Sequence, residues 1–134
     1  MISEPDFFGK RALVADDYPA SQEMFQEMLE LLGFNVDVAD DGERALEMYN
    51  KNFYDVILMD IKMPIKNGYE VTEDIRRIEK NKRHTVIVAL TANAMAGDKE
   101  RCFAAGMDAY FTKPADIRKL RSILSDLLLN KKSE

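Results

Sequence analysis

Four apolar runs in this chain end in groups able to do chemistry. Asp16 and Asp17 follow RALVA, Asp60 follows VILM, Thr91 follows VIVAL, and Lys113 follows AYFT. An ionised carboxylate at a buried strand end costs several kcal/mol unless something pairs with it. Taken singly, each has an ordinary explanation: an aspartate after a strand caps a helix or makes a turn, a threonine caps, and a lysine is a solvated charge. Together they read as one site. Two unit charges about 4 Å apart repel by roughly 4 kcal/mol at an effective dielectric of 20, so three converging carboxylates need a cation. Hard oxygen ligands with room for water and phosphate oxygens suit Mg²⁺. With His84 and Cys102 each the only residue of its kind, there is no zinc set.

The elements that would position these groups follow from hydrophobic periodicity. Strands are predicted at 11–15, 35–39, 56–59, 86–90 and 109–112. The second alternates as a half-buried edge strand does, and the third and fourth are apolar throughout as central parallel strands are. Helices are predicted over 19–32, 42–51, 69–80, 96–105 and 115–129. The first carries Met24, Met28 and Leu32 at i, i+4, i+8 with Phe25 and Leu29 beside them. The third carries Val71, Ile75 and Ile78, and the last Ile117, Leu120, Leu124 and Leu127; the fourth is weakly amphipathic. Alternation of strand and helix implies an α/β, doubly wound parallel sheet with right-handed crossovers and helices on both faces. Function in such sheets collects beyond the carboxyl ends of the strands, where these five residues stand.

The chain has 134 residues, one domain's worth, expected to span 9–129 between an N-terminal tail (1–8) and a C-terminal tail (130–134). A 46% hydrophobic content suits a globular core. No apolar run could span a bilayer and the first residues lack a signal-peptide core. A cytoplasmic location without membrane contact by this domain is the expectation. Net charge is −5 with both signs interspersed, which argues against direct nucleic-acid binding.

LVADD, VILMDIKMPIKNGYE, ALTANAM and YFTKP, in this order and spacing, resemble the response-regulator receiver domain across nearly the whole chain, with wording most like receivers of hybrid sensor histidine kinases. The resemblance implies a flavodoxin-like (βα)5 fold, a five-stranded parallel sheet in the order 2-1-3-4-5. It implies a phosphoacceptor module of a two-component phosphorelay rather than an enzyme, with only self-phosphorylation and autodephosphorylation chemistry. Asp60 would accept a phosphoryl group from a phosphohistidine. Asp17 and Asp60 would bind Mg²⁺ directly with the Lys62 backbone carbonyl, and Asp16 would act through water or by holding its neighbours. Lys113 would pair with Asp60 before transfer and with the phosphoryl oxygens afterwards. Thr91 would hydrogen-bond a phosphoryl oxygen, and Tyr110 would turn inward when Thr91 moves. Lys62 and Asn93 would tune hydrolysis, and the Lys113–Pro114 bond would be cis.

The partner implied is a histidine kinase or histidine phosphotransfer domain, in trans or in the same longer chain, with scope for a phosphorylation-dependent homodimer. It would dock against the start of the first helix and the loop after the fifth strand: Ala20, Ser21, Met24, Pro114 and Ala115. Met24 is read both as a core residue and as a docking anchor. Since no output domain follows Leu129, the chain is expected to work alone or as one domain of a longer protein. His84 is read as a solvated loop residue, Cys102 as a small packed hydrophobe, and Tyr18 has no assigned role. A phosphohydrolase on a similar sheet would need an acid two residues after the nucleophile, where Lys62 stands. A flavin-binding relative would want a Ser/Thr/Gly phosphate loop where ADDYPA stands.

Overall fold

The computed structural model describes residues 6–92, 97–113 and 116–129. Five strands, β1 (Arg11–Ala15), β2 (Asn35–Ala39), β3 (Val56–Asp60), β4 (Val86–Thr91) and β5 (Ala109–Thr112), form one sheet in the order β2-β1-β3-β4-β5, every pair parallel. Between and after them run α1 (Pro19–Leu31), α2 (Gly42–Lys51), α3 (Gly68–Glu79), α4 (Asp98–Ala105) and α5 (Ile117–Leu124), the last continued by a π-helical turn, Ser125–Leu129. The α/β doubly wound topology and its strand order are those expected. Strands β3 and β4 each run one residue further, taking in Asp60 and Thr91 as their last members.

Strand side chains alternate between two cores. Leu13, Ile57, Met59 and Ile87 face α2, α3 and α4, with Tyr49, Val71, Ile75 and Cys102 closing that layer. Val14, Val56, Leu58, Val88 and Leu90 face α1 and α5 through Phe25, Leu29, Leu120 and Leu124. Fully buried β3 is apolar on both faces because helices cover both. The register Ala15↔Met59, Asp60↔Leu90 and Thr91↔Thr112 brings the ends of β1, β3, β4 and β5 to one level.

Packing departs from the periodic expectation at several places. In α1 the buried face is Ser21, Phe25 and Leu29, while Met24 and Met28 are only partly buried at its margin. In α3, Ile78 points outward and Glu79 is buried instead. Its carboxylate accepts bonds from Tyr49 Oη (2.9 Å), Thr85 N (3.0 Å) and Arg76 Nη1 (2.9 Å). Burial would raise the Glu79 carboxyl, but these donors hold it below the usual range. Arg76 also donates to Gly106 O (2.9 Å), Thr85 O (2.8 Å) and Asp108 (3.1 Å), tying the end of α4 to α3. Phe7, expected in a tail, is fully buried and stacks on Phe34 with ring centroids 4.9 Å apart. The π turn after α5 adds a residue per turn, so adjacent Leu127 and Leu128 both reach the core.

The loop from β3 to α3 is held under strain. Lys66 N donates to Pro64 O (2.8 Å) across Ile65, whose φ is +73°. This is a γ-turn of the rare positive-φ kind, centred on a β-branched residue. The next residues fix it in place: Asn67 and Glu70 form a reciprocal capping box, and Lys66 pairs with Asp74. Gly68 then packs so closely that a Cβ there would lie 2.4 Å from Asp60 O, so α3 starts against the strand end. Because the Ile65 side chain is 69% exposed, its strain is not repaid by burial. Ile65→Gly is expected to stabilise the fold by about 1 kcal/mol, read as a rise in the midpoint of thermal unfolding of a few degrees.

Candidate functional site

The three carboxylates meet. One oxygen each of Asp16, Asp17 and Asp60 lie within 4.8 Å of one another. Asp16 is fully buried, Asp60 nearly so, and Asp17 exposed. The chain satisfies Asp16 almost completely. Its Oδ2 accepts from the Ser21 hydroxyl and from Lys113 Nζ (3.1 Å), and its Oδ1 from Tyr18 N (2.9 Å). Asp60 has less: Lys62 N at 3.3 Å from Oδ1 and Lys113 Nζ at 3.8 Å from Oδ2. Among the described residues, no side chain pairs with the Asp17 carboxylate. One ammonium cannot neutralise three carboxylates, and the least engaged oxygens belong to Asp17 and Asp60. An all-oxygen set with no nearby Cys or His suits a hard divalent cation.

Burial pushes the Asp60 carboxyl up from 3.8 to about 6; Lys113 opposes the rise, Asp16 adds to it, the Lys62 N–H opposes it, and Asp17 adds again. Lys113 sits nearer Asp16 than Asp60, so it bridges the two acids rather than serving Asp60 alone.

A cavity of about 500 Å³ opens beside this cluster, lined by Asp17, Asp60, Thr91 and Lys113 together with Tyr69, Asp98 and Arg101. Thr91 is buried at the end of β4, and Tyr110 is half-buried against the core beneath α4. Lys62 is exposed at the rim. Asn93, Pro114 with the peptide bond before it, and Ala115 lie outside the described residues. Of the expected docking residues, Ala20 is exposed, Met24 is half-buried, and Ser21 is buried beneath Asp16 as its hydrogen-bond donor. Ser21 is therefore part of the acid site, not of the surface. Tyr18 is exposed and engages Asp16 through its backbone N–H. His84 is exposed but not free, its Nε2 lying 2.6 Å from Asp108 at the opposite end of the sheet; Cys102 is buried in the core.

Tyr69 and Arg101 were not singled out in the sequence. Tyr69 follows the glycine that presses α3 against β3, and that adjacency is a signal for a residue beside the strand end. Nothing in the local sequence marks Arg101.

The raised Asp60 value fixes the sign of its pH dependence. Between about 4 and about 6 the folded state binds more protons than the unfolded one. The group's stabilising contribution is thus greatest at low pH and is lost as pH rises through that window. Without divalent cations, Asp60→Asn is expected to raise the thermal midpoint by roughly 3–8 °C at pH 7.5. That gain should shrink toward zero near pH 4, and added Mg²⁺ should close the gap at pH 7.5 by stabilising the wild type. Scanning calorimetry across pH checks both.

Comparison with known proteins gives a consistent result. Residues 12–125 match the family described as "Response regulator receiver domain". The hybrid signal transduction histidine kinase I of Dictyostelium discoideum is 40% identical over 130 residues, a match covering 92% of this chain but only 8% of that protein. The chain spans about a tenth of the length of the curated relatives it matches. Among solved structures, the receiver domain of a sensor histidine kinase from Pseudomonas aeruginosa PAO1, with magnesium coordinated in its active-site cleft, is 39% identical at a TM-score of 0.81, covering 90% of this chain and 98% of that one. The receiver domain of Ssk1 from Saccharomyces cerevisiae, solved with the histidine phosphotransfer protein Ypd1, is 25% identical at a TM-score of 0.82, covering 93% and 95%. With the family match over residues 12–125 and the shared fold, the chain belongs to the response-regulator receiver domain family.

Proposed function

We propose that this receiver domain takes a phosphoryl group onto Asp60 from a phosphohistidine, assisted by Mg²⁺ held between Asp17 and Asp60 with the Lys62 carbonyl. The observation that carries the reading is the cluster itself: three carboxylates within 4.8 Å, two of them, Asp16 and Asp60, bridged by Lys113. Magnesium in the cleft of the Pseudomonas receiver supports the choice of ion. Bound there, Mg²⁺ would offset the carboxylates' charge and that of an incoming phosphoryl group.

The chain's own residues do the rest. An Asp60 oxygen attacks phosphorus in line; the P–N bond to imidazole breaks, and its electron pair leaves with the nitrogen. A carboxylate is a weak nucleophile, so the work is positioning and charge neutralisation. The Lys113 ammonium, already near Asp60 Oδ2, donates to a phosphoryl oxygen. Thr91, level with Thr112 at the same edge, offers its hydroxyl to another, and Tyr110 follows as that loop draws in. Asp16 stays fixed, holding Lys113 in place through their 3.1 Å contact.

The donor is a histidine kinase or histidine phosphotransfer domain, as Ypd1 is bound to Ssk1 in yeast. Relatives such as the Dictyostelium hybrid kinase suggest work within, or beside, a longer kinase. The domain is a signalling module, not a conventional enzyme. Among the described residues no helix is long and apolar enough to cross a membrane.

Incubation with acetyl phosphate and Mg²⁺ is expected to add the mass of one phosphoryl group to the wild type. Asp60→Asn should gain none, and a chelator should abolish the gain; equal labelling of both proteins would overturn the assignment. Beryllium fluoride with Mg²⁺, a phosphoryl mimic, is expected to slow amide exchange in β5 and α4. Unchanged exchange there would separate phosphorylation from the switch.

A further inference from the structure

Every other arginine of the described residues has a carboxylate within ion-pair distance: Arg11 with Asp37, Arg44 with Glu47, Arg76 with Glu79 and Asp108, Arg77 with Asp74, Arg83 with Glu79, Arg118 with Asp116, and Arg121 with Asp6. Arg101 has none. Its guanidinium lies over the Tyr69 ring, 4.3 Å from the centroid, and faces the cavity that also holds Asp60, Thr91 and Lys113. Stacking leaves the in-plane N–H donors unspent, since a ring face engages only the guanidinium face. Asp98, one turn earlier on α4, lines the same cavity but, like every other carboxylate of the described residues, forms no ion pair with Arg101; a planar cation with five unspent donors at the wall of a phosphoryl pocket is suited to an anion.

Charge balance says which anion. Three carboxylates are neutralised by Lys113 and one divalent cation. When the Asp60 carboxylate becomes an acyl phosphate dianion, one negative charge is left over. Arg101 is the arginine on the α4 wall that can turn to that charge, in competition with its neighbour Asp98, which lines the same cavity. Lys62 also borders the cavity and, like Arg101, is exposed, but its side chain has no bracing contact among the described residues. Arg101 is braced on a ring that is itself 7% exposed, so less of its freedom is lost on binding.

We propose that Arg101 is the second cation of the phosphoryl site: it donates to a non-bridging oxygen of the phosphoryl group on Asp60 and thereby ties that group directly to α4. This rests on Asp60 being the phosphoacceptor. In the labelling step itself the P–O bond to acetate breaks as the P–Oδ bond of Asp60 forms, acetate leaving with the electron pair. Arg101 exchanges no proton and contributes charge and direction only.

The test measures binding of beryllium fluoride at fixed Mg²⁺, followed by amide chemical shifts, in wild type, Arg101→Ala and Arg101→Lys. From the usual strength of a hydrogen bond to a charged group, Arg101→Ala is expected to raise the half-saturating fluoride complex about tenfold. Arg101→Lys, which keeps charge but not the planar fork, should fall between. Affinity for Mg²⁺ alone should be unchanged or stronger, because a cation has been removed beside the acids. Beryllium fluoride affinity within twofold of wild type overturns the proposal. So does a parallel loss of Mg²⁺ affinity and thermal stability, which would mark Arg101 as structural. Intact mass after acetyl phosphate separates the two readings: a wild type that gains no phosphoryl group removes both. Normal labelling with undiminished mimic binding in Arg101→Ala removes only this one.

Discussion

Like charges at close quarters are the constraint on which the rest of this structure depends. Three carboxylates share a few ångströms at the edge of the sheet, and a folded chain holds them there only by supplying fixed donors. Asp16 receives a hydroxyl, a backbone N–H and an ammonium, and can be fully buried on those conditions. Asp60 receives far less, and burial, only partly opposed by Lys113 and the Lys62 N–H, shifts its carboxyl upward. The site is therefore set in opposition: one acid is stabilised so that its neighbour can be left wanting. An acid left wanting binds cations and accepts an electrophile.

The parallel sheet makes that concentration of charge achievable. All five strands point the same way, so their carboxyl ends share one edge, and the register aligns β1, β3, β4 and β5 to within a residue. Two apolar layers clamp the strands from either side and prevent the edge from relaxing. The strained turn at Ile65 and the close approach of Gly68 belong to the same economy of space, since α3 has to start directly against the strand that carries Asp60.

Much of this was legible in the sequence, for identifiable reasons. VILM and VIVAL are apolar on both faces because both faces are covered, and the polar residue that ends each run is visible without any structure. What escaped has physical causes too. In α1, Met24 with Met28 and Phe25 with Leu29 make adjacent stripes, and only packing decides which turns inward. In α3, hydropathy favours burying Ile78, yet Glu79 is buried because Tyr49, Thr85 and Arg76 replace its water. Phe7 sits in a stretch whose composition reads as a tail and is retained by Phe34, 27 residues away in sequence. Ser21 looks like a small surface residue until the demands of Asp16 are known. Arg101 is one charged helical residue among many; its distinction among the described residues is a missing ion-pair partner, and pairing is a property of three-dimensional neighbours.

Arg76 carries a mechanical consequence. Its guanidinium grips the Gly106 carbonyl, the Thr85 carbonyl, Glu79 and Asp108 together, and Gly106 itself leaves room for no side chain, since a Cβ would lie 2.9 Å from Arg76 Cγ. The far end of α4 is thus bolted to the scaffold while its first turn borders the reactive cavity. A rod fastened at one end answers a pull at the other by swinging, not by sliding. Over eight residues, about 12 Å of helix, a tilt of ten or so degrees moves the free tip by about 2 Å and the fastened tip hardly at all. Whatever reads this domain by the attitude of α4 would find the amplitude at the leading turn and a fixed reference at the trailing one.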